Sequence, residues 1–315
     1  MSRVTAASRF GRVAVVYGGE SVEREISLQS GHAVITAMRE LDIDVSALEG
    51  IPALVKALAA RKIDRIFNIL HGGDGENGVV QGLAVAYDVP ITGASVLGCA
   101  LSMDKLRCKA VWQATDLPVA SHRVVTADLS DADLLHDPGL PMVVKPVHEG
   151  SSVGVHIVKT EASLAQALSA AREFDSDIMA EVFVPGAEYT AAMVAGEILP
   201  LIRVETPHSF YDYSAKYQSD STCYHCPCGL DAARERALQS VSSRAFAAVG
   251  IAGWGRLDFI LDAQGEPVLL EINTAPGMTA HSLVPMAAAA RGWDFKRLVW
   301  EILSTTVADA GRVDG

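Results

Sequence analysis

An apolar run over residues 13–17 stops at Gly18-Gly19, and after a polar turn the spacing of apolar positions predicts an amphipathic helix over 27–41. A second apolar run, 63–70, ends in His71-Gly-Gly-Asp-Gly-Glu-Asn-Gly78 and leads into a helix-like stretch carrying Gln81, Leu83 and Val85. Strand, glycine turn and helix recur in that order. This predicts a doubly wound parallel sheet of the α/β class, with its ligand beyond the carboxyl ends of the strands. Neither turn is a G-x-G-x-x-G, which disfavours a nicotinamide-type site. From residue 141 the pattern becomes α+β. Strands over 141–147 and 155–158 flank the turn Glu149-Gly-Ser-Ser-Val-Gly154, followed by a helix over 163–172 and strands over 178–184 and 188–194. A long polar and aromatic excursion, 203–229, precedes a helix over 232–249, a hairpin over 255–273 and two short helices.

Composition narrows the class of partner. Half of the 315 residues are hydrophobic and 20% are charged, which excludes intrinsic disorder. The net charge is 26 − 38 = −12, a field that repels polyphosphate and excludes nucleic acid as the main partner. A small anion can still be held by a few cations focused in a cleft, and only eight lysines are available for that. The uncharged stretch 272–290 contains Asn273, Pro276, Gly277, His281 and Pro285, so it does not read as a membrane span. No signal segment is recognisable, and a cytoplasmic location is expected. Five cysteines in a long chain argue against a disulfide framework. Cys223-Tyr-His-Cys-Pro-Cys228 lacks the second knuckle of a zinc site and reads as a loop-packing segment.

The hairpin carries the strongest chemical signal. With its turn centred on Gln264 and Gly265, Asp258 lies opposite Glu271 and Arg256 opposite Asn273. Period-two alternation then sends these four side chains to one face, while Leu257, Phe259, Leu270 and Ile272 pack on the other. Opposed carboxylates repel unless a positive group stands between them. A divalent cation would serve, since Asp, Glu and Asn offer the hard oxygens that suit magnesium bridging phosphates. The same pattern also fits an exposed face of mixed charge on which Arg256 neutralises Asp258. After the hairpin, a small-residue loop reaches a helix expected to be N-capped by Ser282, a start that can hold a carboxylate or phosphate. Lys145 lies inside an apolar run and needs an anionic partner, although a lone strand lysine is also a common edge device. Beside it, the Glu149–Gly154 turn can fold its backbone N–H groups over phosphate oxygens, which together with the hairpin favours a triphosphate site.

With these residues in place, the chain resembles the ATP-grasp carboxylate–amine ligases, and within them the D-alanine–D-alanine ligase family, from residue 13 to 303. The motifs that carry the resemblance are Gly18-Gly-Glu-Ser-Val-Glu-Arg-Glu-Ile-Ser27, His71-Gly-x-x-Gly-Glu-Asn-Gly78, Ser102-Met-Asp-Lys105 and Glu149-Gly-Ser-Ser-Val-Gly154. Two more are Tyr211-Asp-Tyr-x-Ala-Lys-Tyr217 and Glu271-Ile-Asn-Thr-x-Pro-Gly-Met-Thr279. The resemblance implies an ATP-grasp fold with an N-terminal α/β domain (1–100), a central α+β domain (101–188) and a C-terminal domain (189–315). It implies phosphorylation of one D-alanine carboxylate by ATP and attack of a second D-alanine on the acyl phosphate, for peptidoglycan synthesis. A related ligase joining a different amino or hydroxy acid pair is the alternative.

By the same resemblance, Glu181, Val184 and Glu188 bind adenine and ribose, while Lys105, Lys145 and Ser152 bind phosphates. Asp258, Glu271 and Asn273 bind Mg2+ or Mn2+, with two ions expected, and Arg256 with the Gly277 N–H stabilises developing charge. Glu23 anchors the first ammonium, His71 lines that site, and Lys216, Ser282 and Leu283 hold the second substrate. The proton of the attacking amine goes to a Glu23, Ser151 and Tyr217 network or to the departing phosphate. A homodimer joined through the N-terminal region is implied. Asn77 and Val182 depart from the usual residues, an acid and a lysine.

Overall fold

The computed structural model describes residues 4–206 and 222–307. The chain begins with β1 (Val13–Tyr17), α1 (Arg24–Glu40), β2 (Val45–Glu49), α2 (Gly50–Ala59) and β3 (Arg65–Asn68), followed by α3 (Val79–Ala86), α4 (Val96–Met103) and α5 (Lys105–Ala114). These strands form a parallel sheet in the order β2-β1-β3. β1 is buried along its whole length because helices cover both faces. Val13, Val15 and Tyr17 share a core with Val34, Ile35 and Met38 of α1, whereas Ala14 and Val16 share one with Leu54 and Leu58 of α2. The apolar run expected over 63–70 forms a shorter strand, and its last residues turn into the glycine loop. β2 and α2 were not legible in the sequence because Val-Ser-Ala-Leu-Glu on an edge strand shows no clean alternation.

Next come β4 (His122–Val125), α6 (Asp131–His136), β5 (Met142–Pro146), β6 (His156–Val158), α7 (Leu164–Ala171) and β7 (Ile178–Val182). They build an antiparallel sheet, β4-β7-β5-β6, with its own core of Met142, Val144, Leu164, Leu168 and Ile178. The remaining elements are β8 (Ala187–Val194), β9 (Glu197–Ile198), β10 (Ile202–Glu205), β11 (Cys223–His225), α8 (Ala232–Ala248), β12 (Trp254–Leu261), β13 (Pro267–Asn273), α9 (Leu283–Ala290) and α10 (Phe295–Ser304). The third sheet runs β11-β10-β8-β12-β13, with β9 paired to β8. Cys108 and Trp112 of α5 pack into the core of this sheet with Phe246, Leu257 and Leu269. α9 and α10 share the α1 side of the first sheet's core through Val284, Leu298 and Ile302.

The hairpin departs from simple alternation. Asp258 pairs with Glu271 and Arg256 with Asn273, as the turn predicts, but Phe259 pairs with Leu269 because a bulge interrupts the register. Leu269 is therefore the fully buried residue, and Leu270, expected in the core, lines the cavity on the opposite face. Ser282 occupies the N-cap position of α9 but makes no side-chain cap bond. Its hydroxyl accepts instead from the Thr279 N–H at 2.9 Å, which fixes the loop ahead of the helix.

Candidate active site

A cleft between the second and third sheets is lined on one wall by Val143, Lys145, Ile157 and Glu181, and on the other by Glu188, Asp258, Ile260, Leu270 and Glu271. Lys105, Ser152 and Val184 lie on its border. Its apolar walls admit a flat ring and its cations suit phosphates. Lys145 finds the anion that its burial demands in Glu181, 2.5 Å away. Lys109, which the sequence reading passed over, is completely buried and stands 3.0 Å from the other Glu181 oxygen. Burial alone would push the Glu181 carboxyl up, but the two ammonium groups outweigh it and hold the acid ionised, well below the ordinary carboxylate range. Its Oε2 is buried against Lys109, while its Oε1 pairs with Lys145 on the cleft wall.

A second cavity adjoins the first and shares Lys105, Glu149 and Glu271 with it. Its further lining includes Glu23, Glu76, Ser102, Asn273 and Thr274. Lys105 spans the junction, donating to the Glu149 carbonyl at 2.5 Å and lying 3.4 Å from Glu271. The loop after Lys145 crosses over this point. Ser151 and Ser152 adopt φ of +50° and +60°, left-handed values that cost energy in non-glycine residues and often mark working loops. Within that loop the Ser151 hydroxyl donates to Glu23, at the start of α1. The glycine loop after β3 approaches from the other side, and Cβ atoms at Gly72 of that loop and at Gly150 of the loop after Lys145 would stand 3.3 and 3.4 Å from the Glu23 carboxylate. A small cationic group is the complement of such a carboxylate.

His71 is buried nearby with Nε2 unpartnered. Burial pushes its imidazole down, against the pull of Glu23, and keeps it neutral. Glu76, also missed from sequence, accepts from the Gly72 N–H at 2.7 Å and the Ala275 N–H at 3.0 Å, joining the glycine loop to the turn after β13. Asn77, where an acid is usual, holds the same loop by donating to Asp74 and accepting from the Val79 N–H. Gly277 lies in the turn after β13, close enough to Ser282 that a Cβ there would meet its hydroxyl at 2.8 Å. Leu283 is buried at the first turn of α9. Lys216 and Tyr217 lie outside the described residues.

On the hairpin face, Arg256 forks onto Asp258 at 2.8 and 2.7 Å, and Asn273 donates to the same carboxylate at 3.3 Å. Both Asp258 oxygens are thus engaged by Arg256, and Asn273 turns its amide nitrogen toward the same carboxylate. The register still sets Asp258, Glu271 and Asn273 side by side, and their oxygens are of the hard kind that fits a magnesium-class ion. No cluster of three or more His, Cys, Asp or Glu side chains suited to a metal occurs among the described residues. Two carboxylates and an amide leave coordination positions for phosphate oxygens rather than closing an all-protein cage. Cys223, Cys226 and Cys228 form no disulfide among the described residues, and Cys228 is buried in the third sheet's core. No helix is long and apolar enough to cross a membrane among the described residues.

Residues 111–304 match the family model described as the C-terminal part of D-ala D-ala ligase. The chain is 49% identical over 306 residues to the D-alanine–D-alanine ligase of Methylococcus capsulatus, covering 97% of this chain and 99% of that one. Among solved structures, the Bacillus anthracis D-alanine–D-alanine ligase complexed with ATP superposes with a TM-score of 0.81 at 27% identity, covering 94% of this chain and 97% of that one. The VanG D-Ala:D-Ser ligase of Enterococcus faecalis also reaches 0.81, at 26% identity and 94% and 99% coverage.

Proposed function

The chain belongs to the D-alanine–D-alanine ligase family, and from that membership and the joined cavities we propose that it couples ATP cleavage to ligation of two D-alanine molecules, supplying D-alanyl-D-alanine for peptidoglycan. The observation that carries this reading is the junction itself. Lys105, Glu149 and Glu271 line both cavities, so a triphosphate in the first would present its terminal phosphate to a carboxylate in the second.

The first alanine docks its ammonium on Glu23, beside neutral His71. Its carboxylate oxygen attacks the γ-phosphorus, the O–P bond forms, the bond to the β-phosphate oxygen breaks, and ADP leaves. Glu181, Val184 and Glu188 hold the adenosine, while Lys105, Lys145 and Ser152 hold the phosphates. Asp258, Glu271 and Asn273 would bind two Mg2+ or Mn2+ ions, which when bound neutralise phosphate charge. The second alanine, its carboxylate on Ser282 and Lys216 against Leu283, attacks the acyl carbon. Arg256 and the Gly277 N–H receive the tetrahedral oxyanion, and its collapse expels phosphate. The amine proton passes to the Glu23, Ser151 and Tyr217 network or to the departing phosphate. Exclusion of water is essential because an acyl phosphate hydrolyses readily. Use of ATP fits a cytoplasmic location. Exposed Val79, Val85, Val96 and Leu97 on α3 and α4 support a homodimer through the N-terminal region, which sedimentation velocity tests.

ADP formation measured with D-alanine, L-alanine and D-lactate tests the substrate assignment. D-Alanine alone should support turnover, and the absence of D-alanine-dependent ADP would sink the proposal. Asp258→Ala should lower kcat by at least about a hundredfold. A variant that turned over normally would refute the role of the hairpin.

A further inference from the structure

Glu181 receives two lysines, and they differ in where they stand. Lys145, on β5, lines the nucleotide cleft, whereas Lys109, on α5, lies behind Glu181 and has no exposed surface. Lys109 also donates to the Leu269 carbonyl at 3.2 Å, so one ammonium ties β7 of one wall to β13 of the other. A bound triphosphate competes with Glu181 for Lys145. Lys109 does not line the cleft and remains as the counter-charge.

We propose that Lys109 is a specificity-determining positioning residue of the nucleotide site: it fixes Glu181 as an ionised acceptor for a purine amino group, and so selects adenine over 6-oxopurines while Lys145 engages phosphate. The inference rests on the adenine-nucleotide reading above. A buried carboxylate without a counter-charge takes up a proton. A neutral carboxyl can donate to the oxygen of a 6-oxopurine as well as accept from an amino group, so selectivity would collapse along with the charge.

The test compares kcat/KM for ATP and inosine triphosphate, with D-alanine as co-substrate, in the wild type and in Lys109→Met, Glu181→Gln and the double variant. The wild type must first show D-alanine-dependent ADP. Failure there defeats the ligase reading and is distinct from failure of the present inference. Lys109→Met should lower the ATP-to-inosine-triphosphate ratio by at least about tenfold, with KM for D-alanine unchanged. An equal loss with both nucleotides would overturn the inference, because it marks a purely structural lysine. The double variant leaves no unpaired charge behind Lys109 and serves where Lys109→Met does not fold. Its ratio should match that of Glu181→Gln within about twofold, and a further large fall would show that Lys109 does not act through Glu181.

Discussion

Glu76 shows how a single carboxyl couples the site to pH. Its oxygens accept two backbone N–H groups, yet burial and the neighbouring Glu23 charge outweigh them and push the group from 4.5 up to about 7. Between those values the folded chain holds a proton that the unfolded chain has lost, so this group's contribution to stability falls as pH rises through that window. The loss amounts to as much as about 3 kcal/mol above it. Glu76→Gln, neutral at every pH, gives up one of the two backbone acceptors, but its stability relative to wild type should rise by up to about 3 kcal/mol from about pH 4.5 to about pH 8 in urea unfolding. A difference that does not change with pH would refute the assignment. Glu76 stands in a motif visible in the sequence but without a role that its residue type announces, and Lys109 lies in a run whose polar residues read as helix surface. A signal was nonetheless present for Lys109. Lys105, Cys108, Lys109 and Trp112 are spaced 0, 3, 4 and 7 along α5 and all four are buried, so the stripe that should have been apolar carries two lysines.

At the scale of elements, the hairpin was legible where side-chain chemistry and turn position agreed, and illegible where the backbone inserted a residue. Opposition of Asp258 to Glu271 follows from the turn, but no residue type announces the bulge that transfers Leu270 from the core to the nucleotide wall. Paired substitutions separate the two faces. Leu269→Ala removes a fully buried side chain and should destabilise by about 2–5 kcal/mol. Leu270→Ala should cost less than about 1.5 kcal/mol and raise KM for ATP several-fold, since its side chain lies against the ligand space. Thermal unfolding and ATP titration of both variants check the assignment. Reversed effects would restore simple alternation. The βα units were readable for a related reason: β1 is buried on both faces, so its apolar run is continuous, whereas edge strand β2 is mixed.

Across the whole molecule, the first and third sheets share one core, in which Val13 and Val34 meet Trp254, Leu298 and Ile302. The second sheet keeps a separate core built from Leu134, Met142, Val158 and Leu164. Sequence order conceals this arrangement, because chain ends remote in sequence pack together and the central segment stands apart. Units with separate cores open separately when few packed side chains join them, and beside the cleft the second and third sheets are joined through the buried Lys109–Glu181 pair and the Lys109 bond to Leu269. Amides of β5 and β7 should therefore exchange before those of β1 and β12 in ligand-free protein. A nucleotide touching both walls stabilises the closed form by RT ln(1 + [L]/Kd), about 2.7 kcal/mol at a hundredfold excess over Kd. Exchange of β5 and β7 through this opening should then slow by up to about a hundredfold with ATP and magnesium. Hydrogen exchange followed by mass spectrometry reads both arms. Simultaneous exchange of β5 and β1 without ligand would mean that the chain unfolds as one unit, and the cleft could then not act as the hinge through which ATP enters.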